Sequence, residues 1–224
     1  MRCEGFRAPS GYGILRRSNA GILDHRKIVV EFSIMVELPK IEPIYDESFL
    51  APAEAQALLA TVQSLPWTRG RFRGRPVPRE EVWIGPYSYR FSGRTLAPAE
   101  WTSEIAAVRE RIRARYGGAY NSVLLNRYLN EDDSVSWHSD DEPEMDPAHP
   151  IASLSLGAAR VFRVRLSGTK DRAQSYRLTS GSLLVMPAGF QRVCQHCVPK
   201  SKTPCGARIN LTFRRMKLAE EASV

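Results

Sequence analysis

NRYLNEDDSVSWHSDDE, running from Asn126 to Glu142, organises this 224-residue chain. An apolar-to-polar strand leads into an acidic loop and then into His138-Ser139-Asp140. A histidine and a carboxylate two apart in a strand share one face and can grip one metal ion. The third ligand is expected to be a distant histidine, and the chain offers His196. Two histidines and one carboxylate form the facial triad that leaves positions open on a non-haem Fe(II). An H-x-D pair alone is a weak sign of iron, so the weight falls on what surrounds it.

The length suits one domain, with or without a tail, and allows a real core. With 15 Gly, 15 Pro and few helix-period stretches, a mainly-β or α+β class is expected. The net charge of +8 fits either a polyanionic partner or ordinary solubility charge. Its distribution is more telling. Arg69 to Arg94 holds seven Arg against two Glu, whereas Glu131 to Asp146 holds eight acids and no Lys or Arg. The basic surface and the metal loop are therefore expected to be separate.

The cysteines Cys3, Cys194, Cys197 and Cys205 show no secreted disulfide framework. A reducing compartment follows: the cytoplasm in a bacterial host, the nucleus in a eukaryotic one. One C-x2-C pair at Cys194 and Cys197 falls short of the paired units of a structural zinc site. No secretory signal peptide is evident. The apolar run Ile28 to Val36 is broken by Glu31 and too short to span a bilayer, so no membrane partner is expected. Residues 1–35 lack periodicity and read as a disordered basic arm or a mis-assigned start. The domain proper is expected over 36–217, with 218–224 as a tail.

Pro52 suits the first position of a helix, and Ala55, Leu58, Leu59 and Val62 follow at helical spacing. Pro98 is expected to open a second helix, with Trp101, Ile105, Val108 and Ile112 buried and its arginines solvated. Gly117-Gly118 stops it. Between the helices lies a basic ribbon over about 67–94. Gly74 supplies a turn, and Pro76 and Pro78 confine the ribbon to an edge. Arg71, Arg73 and Arg75 would track phosphates, with Phe72 as a wedge or stacking side chain; a disordered Arg/Gly loop is the alternative. Lys170 and Arg172 sit in a later loop and are further candidates for phosphate contact. Tyr89 and Phe91 share a strand face and line either a core or a base-sized pocket.

Strands are expected at Ser122–Tyr128, Ile151–Leu156, Val161–Leu166, Tyr176–Thr179, Leu183–Met186 and Ala207–Arg214. In the last, Ala207, Ile209, Leu211 and Phe213 form a core face. Arg208, Asn210, Thr212 and Arg214 form the other, which faces either solvent or a barrel mouth that receives a dicarboxylate. Arginine suits that role because it binds carboxylates bidentately and keeps its charge. Six residues of straight strand span roughly 20 Å, so only converging side chains on a curved strand would grip one small ligand.

Several pieces together resemble one family: Tyr89-x-Phe91-Ser92-Gly93, Asn126-Arg127-Tyr128, His138-Ser139-Asp140-Asp141-Glu142, Pro150-Ile-Ala-Ser153 with Leu156-Gly157, Gly181-Ser-Leu-Leu184, His196, and Arg208 to Arg214. In order and type they are similar to the AlkB-type Fe(II)- and 2-oxoglutarate-dependent dioxygenases, the oxidative nucleic-acid dealkylases, and look most like the branch acting on DNA. The resemblance covers about Glu37 to Lys217. It implies a double-stranded β-helix, a jelly-roll barrel with N-terminal helices packed on one sheet. His138, Asp140 and His196 would hold Fe(II). Arg208 would take the distal carboxylate of 2-oxoglutarate, Arg214 the one beside the metal, and Asn126, Tyr128 and Asn210 would hydrogen-bond the co-substrate. Tyr89, Phe91, Ser92, Asp141 and Glu142 would meet a flipped base. Cys194 stands where some relatives carry an aromatic.

The implied reaction consumes O₂ and 2-oxoglutarate, releases succinate and CO₂, and frees a methyl from a base such as 1-methyladenine or 3-methylcytosine as formaldehyde. The implied partner is alkylated DNA, single- or double-stranded, met by a monomer. Three alternatives stay open at this point: an RNA or tRNA demethylase or hydroxylase of the same family, an oxygenase of a small molecule or protein, and a metal-free nucleic-acid-binding module.

Overall fold

The computed structural model describes residues 41–218 apart from 73, 92, 93 and 171, and leaves out the side chains of Phe72, Phe91 and Arg94. The expected arm at 1–35, Arg73, Ser92 and the end of the tail therefore lie outside the described residues.

The chain opens with β1 (Ile44–Asp46) and α1 (Pro52–Gln63). Pro52 is at the start of α1, and the Ala51 N–H donates to the Glu54 carboxylate at 2.8 Å, so an orphan donor at the helix start is satisfied. The basic ribbon folds as β2 (Arg71–Phe72) and β3 (Arg75–Pro76), with Gly74 at φ 77° in the turn. β4 (Glu80–Ile84), β5 (Tyr89–Phe91) and β6 (Arg94–Leu96) follow. α2 covers Ser103–Tyr116. It starts later than Pro98 suggested, because Pro98 bridges to Trp83 and the Ala99 N–H bonds the Trp83 carbonyl, which keeps the chain extended. The cap is Thr102, whose hydroxyl accepts from the Ile105 N–H. The arginines of α2 are not merely solvated. Arg111 pairs with Glu54, Arg115 with Asp46, and Arg109 and Arg113 with Glu110.

The second half is β7 (Ser122–Tyr128), β8 (Val135–His138), β9 (Ile151–Gly157), β10 (Arg160–Leu166), β11 (Gln174–Leu178), β12 (Leu183–Met186), a short α3 (Phe190–Val193), β13 (Cys194–Val198) and β14 (Arg208–Arg214). Two antiparallel sheets result, in the orders β1-β12-β9-β14-β7-β4 and β11-β10-β13-β8. This is the jelly-roll arrangement of mostly β structure expected from the sequence.

Period-two alternation distributes the side chains between two cores. Val123, Leu125, Ala152, Leu154, Leu156, Ile209, Leu211 and Phe213 pack against Ala55, Leu58 and Val62 of α1 and Ile105, Val108 and Ile112 of α2. The other faces of the same strands look between the sheets. There Leu124 and Tyr128 meet Phe162, Val164, Met186 and Val198. Asn126 pairs in register with Asn210, and Asn210 with Ser155, so polar residues occupy the middle of that inner face.

Gly181 leads into β12 at φ 85°, and a Cβ there would lie 2.7 Å from the Leu50 carbonyl oxygen. Both the backbone angle and the close approach demand glycine. Gly181→Ala is expected to cost about 1–3 kcal/mol in urea unfolding. A loss below about 0.5 kcal/mol would show that the loop relaxes around the methyl group.

Candidate active site

β8 and β13 pair so that His138 lies directly opposite His196. Both imidazoles turn inward, their centroids 4.3 Å apart. Asp140 follows two residues beyond His138, and its Oδ1 is 3.7 Å from His138 Nε2. One ligand atom from each of His138, Asp140 and His196 lies within 4.8 Å of the others, and this is the one such group among the described residues. His138 Nδ1 lies 2.8 Å from the Ser136 carbonyl oxygen, to which only an N–H can donate. In the neutral form of the ring, Nε2 is then the nitrogen that carries the lone pair. His196 is buried and stacks on Phe162 at 5.1 Å, and its Nδ1 has no hydrogen-bond partner. Burial pushes its imidazole down to about 3, so it is neutral, as a metal ligand must be.

Asp140 is buried as well. Burial alone would raise its carboxyl, but Arg214 and the two imidazoles outweigh that and hold it at about 2. Arg214 Nη2 donates to Asp140 Oδ2 at 2.7 Å, and the two side chains are only 4% and 5% exposed. That pair leaves Oδ1 directed at the histidines. A hard carboxylate and two imidazoles on one face match the donor set for a divalent iron.

The inner face of β14 continues the site. Arg208 and Arg214 both line the cavity that holds the triad, together with Asn126, Tyr128 and Asn210, so the strand does bring its two arginines to one space. Arg208 is 1% exposed. Its Nη2 donates to Ser155 Oγ and Asn210 Oδ1, but its Nε and Nη1 have no partner. No carboxylate among the described residues pairs with it. Burial lowers it to about 10, which still leaves it charged at neutral pH. A buried cation that lines a cavity and has two orphan donors fits an incoming carboxylate. The face reserved for solvent in the alternative reading of β14 is thus wholly buried.

Sequence reading missed the residues that orient these groups. Arg79 is buried, donates from Nε to Asn126 Oδ1 at 2.9 Å and pairs with Glu81 at 3.1 Å. This orientation leaves the Asn126 amide nitrogen as a donor. Ser153 Oγ donates to Asn210 Oδ1 at 2.8 Å, and Asn210 Nδ2 donates to Thr212 Oγ1 at 2.7 Å. Serine at alternate positions of the apolar stretch Ile151 to Gly157 was the available signal. Arg79 offered none, since its partner lies 47 residues away.

The expected base-contact residues divide. Glu142 and Asp141 line a cleft on the far side of Asp140 and Arg214. Burial pushes the Glu142 carboxyl up against the pull of Arg214, and its Oε2 has no hydrogen-bond partner. Tyr89 is different from an open stacking plate. It is wholly buried, stacked on Trp83 at 4.5 Å, and its hydroxyl accepts from Arg214 Nη1 at 3.4 Å. Its place is behind the metal-side arginine. Arg71, Arg75, Lys170 and Arg172 are exposed, the first two on the separate β2-β3 hairpin and the others in the loop between β10 and β11. Cys194 and Cys197 are buried free thiols in β13, on either side of His196.

Comparison with known proteins agrees with this geometry. The family model described as the 2OG-Fe(II) oxygenase superfamily matches residues 44–214. Human alpha-ketoglutarate-dependent dioxygenase alkB homolog 3 is 39% identical over 146 residues, covering 61% of this chain and 51% of the relative. Human DNA oxidative demethylase ALKBH2 is 36% identical over 154 residues, covering 65% and 59%. The chain thus spans about half the length of the curated relatives it matches. A solved structure of OsALKBH1 superimposes with a TM-score of 0.55 at 20% identity, covering 77% of this chain and 97% of that one, and supports the fold. The chain belongs to the 2OG-Fe(II) oxygenase superfamily.

Proposed function

We propose that this protein, acting as a monomer, oxidatively demethylates N-alkylated bases of the 1-methyladenine and 3-methylcytosine kind in DNA. The observation that carries the reading is the unpaired Arg208 guanidinium in the same cavity as three converging metal ligands. When bound, Fe(II), 2-oxoglutarate and O₂ supply the oxidation of the alkyl carbon. The hydroxylated carbon then leaves the base nitrogen as formaldehyde.

The chain's own task is to position and exclude. Arg208 receives the distal carboxylate of the co-substrate, while Asn126, held by Arg79, and Tyr128 border the same space. Arg214 holds Asp140 through one nitrogen, and its buried, unpartnered Nε would be available to the co-substrate's other carboxylate. His138 is the most open ligand, its side chain 30% exposed, which suits a substrate approaching from that side. The target base must leave its stack, at a cost on the order of a few kcal/mol that is smaller for a lesion that pairs poorly. Asp141 and Glu142 give the neighbouring cleft beyond Asp140 a negative lining, matched to a cationic lesion with an exocyclic amine. The exposed arginines of the hairpin are suited to the phosphates around it. The name of one relative, a DNA oxidative demethylase, supports DNA as the polymer.

The test is formaldehyde release from a 3-methylcytosine oligodeoxynucleotide with Fe(II), ascorbate and 2-oxoglutarate, beside its RNA counterpart. Formaldehyde from DNA, lost in His138→Ala with oligonucleotide binding retained, is the expected result. Succinate without formaldehyde from either polymer would overturn the substrate assignment. Arg208→Met should weaken 2-oxoglutarate binding by about 10- to 100-fold, the worth of a charge-assisted hydrogen bond; isothermal titration reads this directly. Arg71→Ala with Arg75→Ala should lower the slope of log affinity against log salt by about 2, one for each phosphate no longer neutralised. An unchanged slope would take the hairpin off the nucleic-acid surface.

A further inference from the structure

Asp140 lies outside the sheet. β8 ends at His138, so the ladder that fixes the first ligand gives nothing to Ser139 or Asp140. Within the described residues the backbone at this point is held by a different device, the four-residue turn α3 immediately before β13. Gln191 in that turn places Oε1 3.0 Å from the Asp140 amide nitrogen and accepts its N–H. The other end of the Gln191 amide, Nε2, lies 3.3 Å from Met186 Sδ, to which it donates, and this sets which way the amide faces. One residue earlier, Ser139 Oγ donates to the Cys194 carbonyl at 2.9 Å. Consecutive residues of the metal arm are therefore pinned by one turn, and that turn runs directly into the strand carrying His196.

The turn is itself rigidly seated. Phe190 is fully buried, the Ser167 N–H bonds the Val193 carbonyl at 2.8 Å, and the Gly189 N–H bonds the Pro147 carbonyl at 3.3 Å. Its position is thus set by packing and not by the metal. Asp140 also has Arg214 on its carboxylate, but that bond controls only the side chain and leaves the peptide free to swing.

We propose that Gln191 is a positioning residue for the metal centre: it fixes the Asp140 backbone relative to His196, so that the site is formed before the ion arrives. The energetic consequence is on metal affinity. A ligand on an unpinned loop must be ordered on binding, and loss of an outer partner of a metal ligand typically costs 10- to 100-fold in affinity. The role is independent of which substrate the enzyme takes.

Gln191→Met keeps the length and volume of the side chain but removes the acceptor. The probe is Co(II), added to the metal-free protein and followed by its visible absorption. Gln191→Met should bind Co(II) at least 10-fold more weakly than the wild type, with an altered band shape, while the metal-free melting temperature is unchanged. Gln191→Glu, which still offers an oxygen to the Asp140 N–H, should bind Co(II) within a few-fold of the wild type. Co(II) affinity within twofold of wild type in Gln191→Met would overturn the proposal. So would equal weakening in Gln191→Glu, or a fall in the metal-free melting temperature that accounts for the loss. Failure of the demethylation assay alone would leave these outcomes readable, because they require no substrate.

Discussion

A guanidinium buried without a carboxylate is among the costliest groups a fold can carry, and Arg208 is one. The structure tolerates it because Ser155 and Asn210 accept from one of its nitrogens and the Tyr128 ring lies 5.3 Å from its carbon. The cost is not fully offset: two of its nitrogens have no partner, and the residue lines the cavity. The rest of the interior is arranged around that charge. Small serines on β9 leave room, amides on β7 and β14 are turned by their neighbours, and the helices seal the opposite face of the same strands.

The second buried charge is handled differently. Arg214 is paired, and its pairing stands between the cavity that holds the triad and the cleft lined by Asp141 and Glu142. Asp140 contributes to both spaces. A single ion pair therefore keeps the Asp140 carboxylate ionised, positions a second arginine and separates two spaces. Removing either partner would strand a charge in the interior, which in general costs about 3–5 kcal/mol.

Much of this was legible in the chain. The alternation in Ser122–Tyr128 and Arg208–Arg214 marked those strands to within a residue, and the inward set Asn126, Tyr128, Arg208, Asn210 and Arg214 came with it. His138, Asp140 and His196 were visible as a spacing plus a distant histidine, and the register of β8 against β13 brings the two histidines together. Side-chain hydrogen bonds between remote positions were not legible, because they leave no periodic mark. Arg79 with Asn126 and Gln191 with Asp140 span 47 and 51 residues. The start of α2 was misplaced for a related reason: Pro98 suits a helix start locally, yet a bridge to Trp83 commits it elsewhere. Tyr89 fitted a core or a base pocket equally well in the sequence, because its burial against Trp83 is a tertiary fact.

Among the described residues β8 is the outermost strand of its sheet and has a neighbour on one side only, β13. His138 hangs from that edge, and His196 belongs to the strand within. An ion held by both acts as a rivet through the border of the sheet, fastening its least supported strand to the interior. Because such an ion binds the folded chain and not the unfolded one, its occupancy adds to the stability of the barrel. The metal that serves the chemistry is in this way also part of the masonry, and its departure would be felt first as fraying along β8.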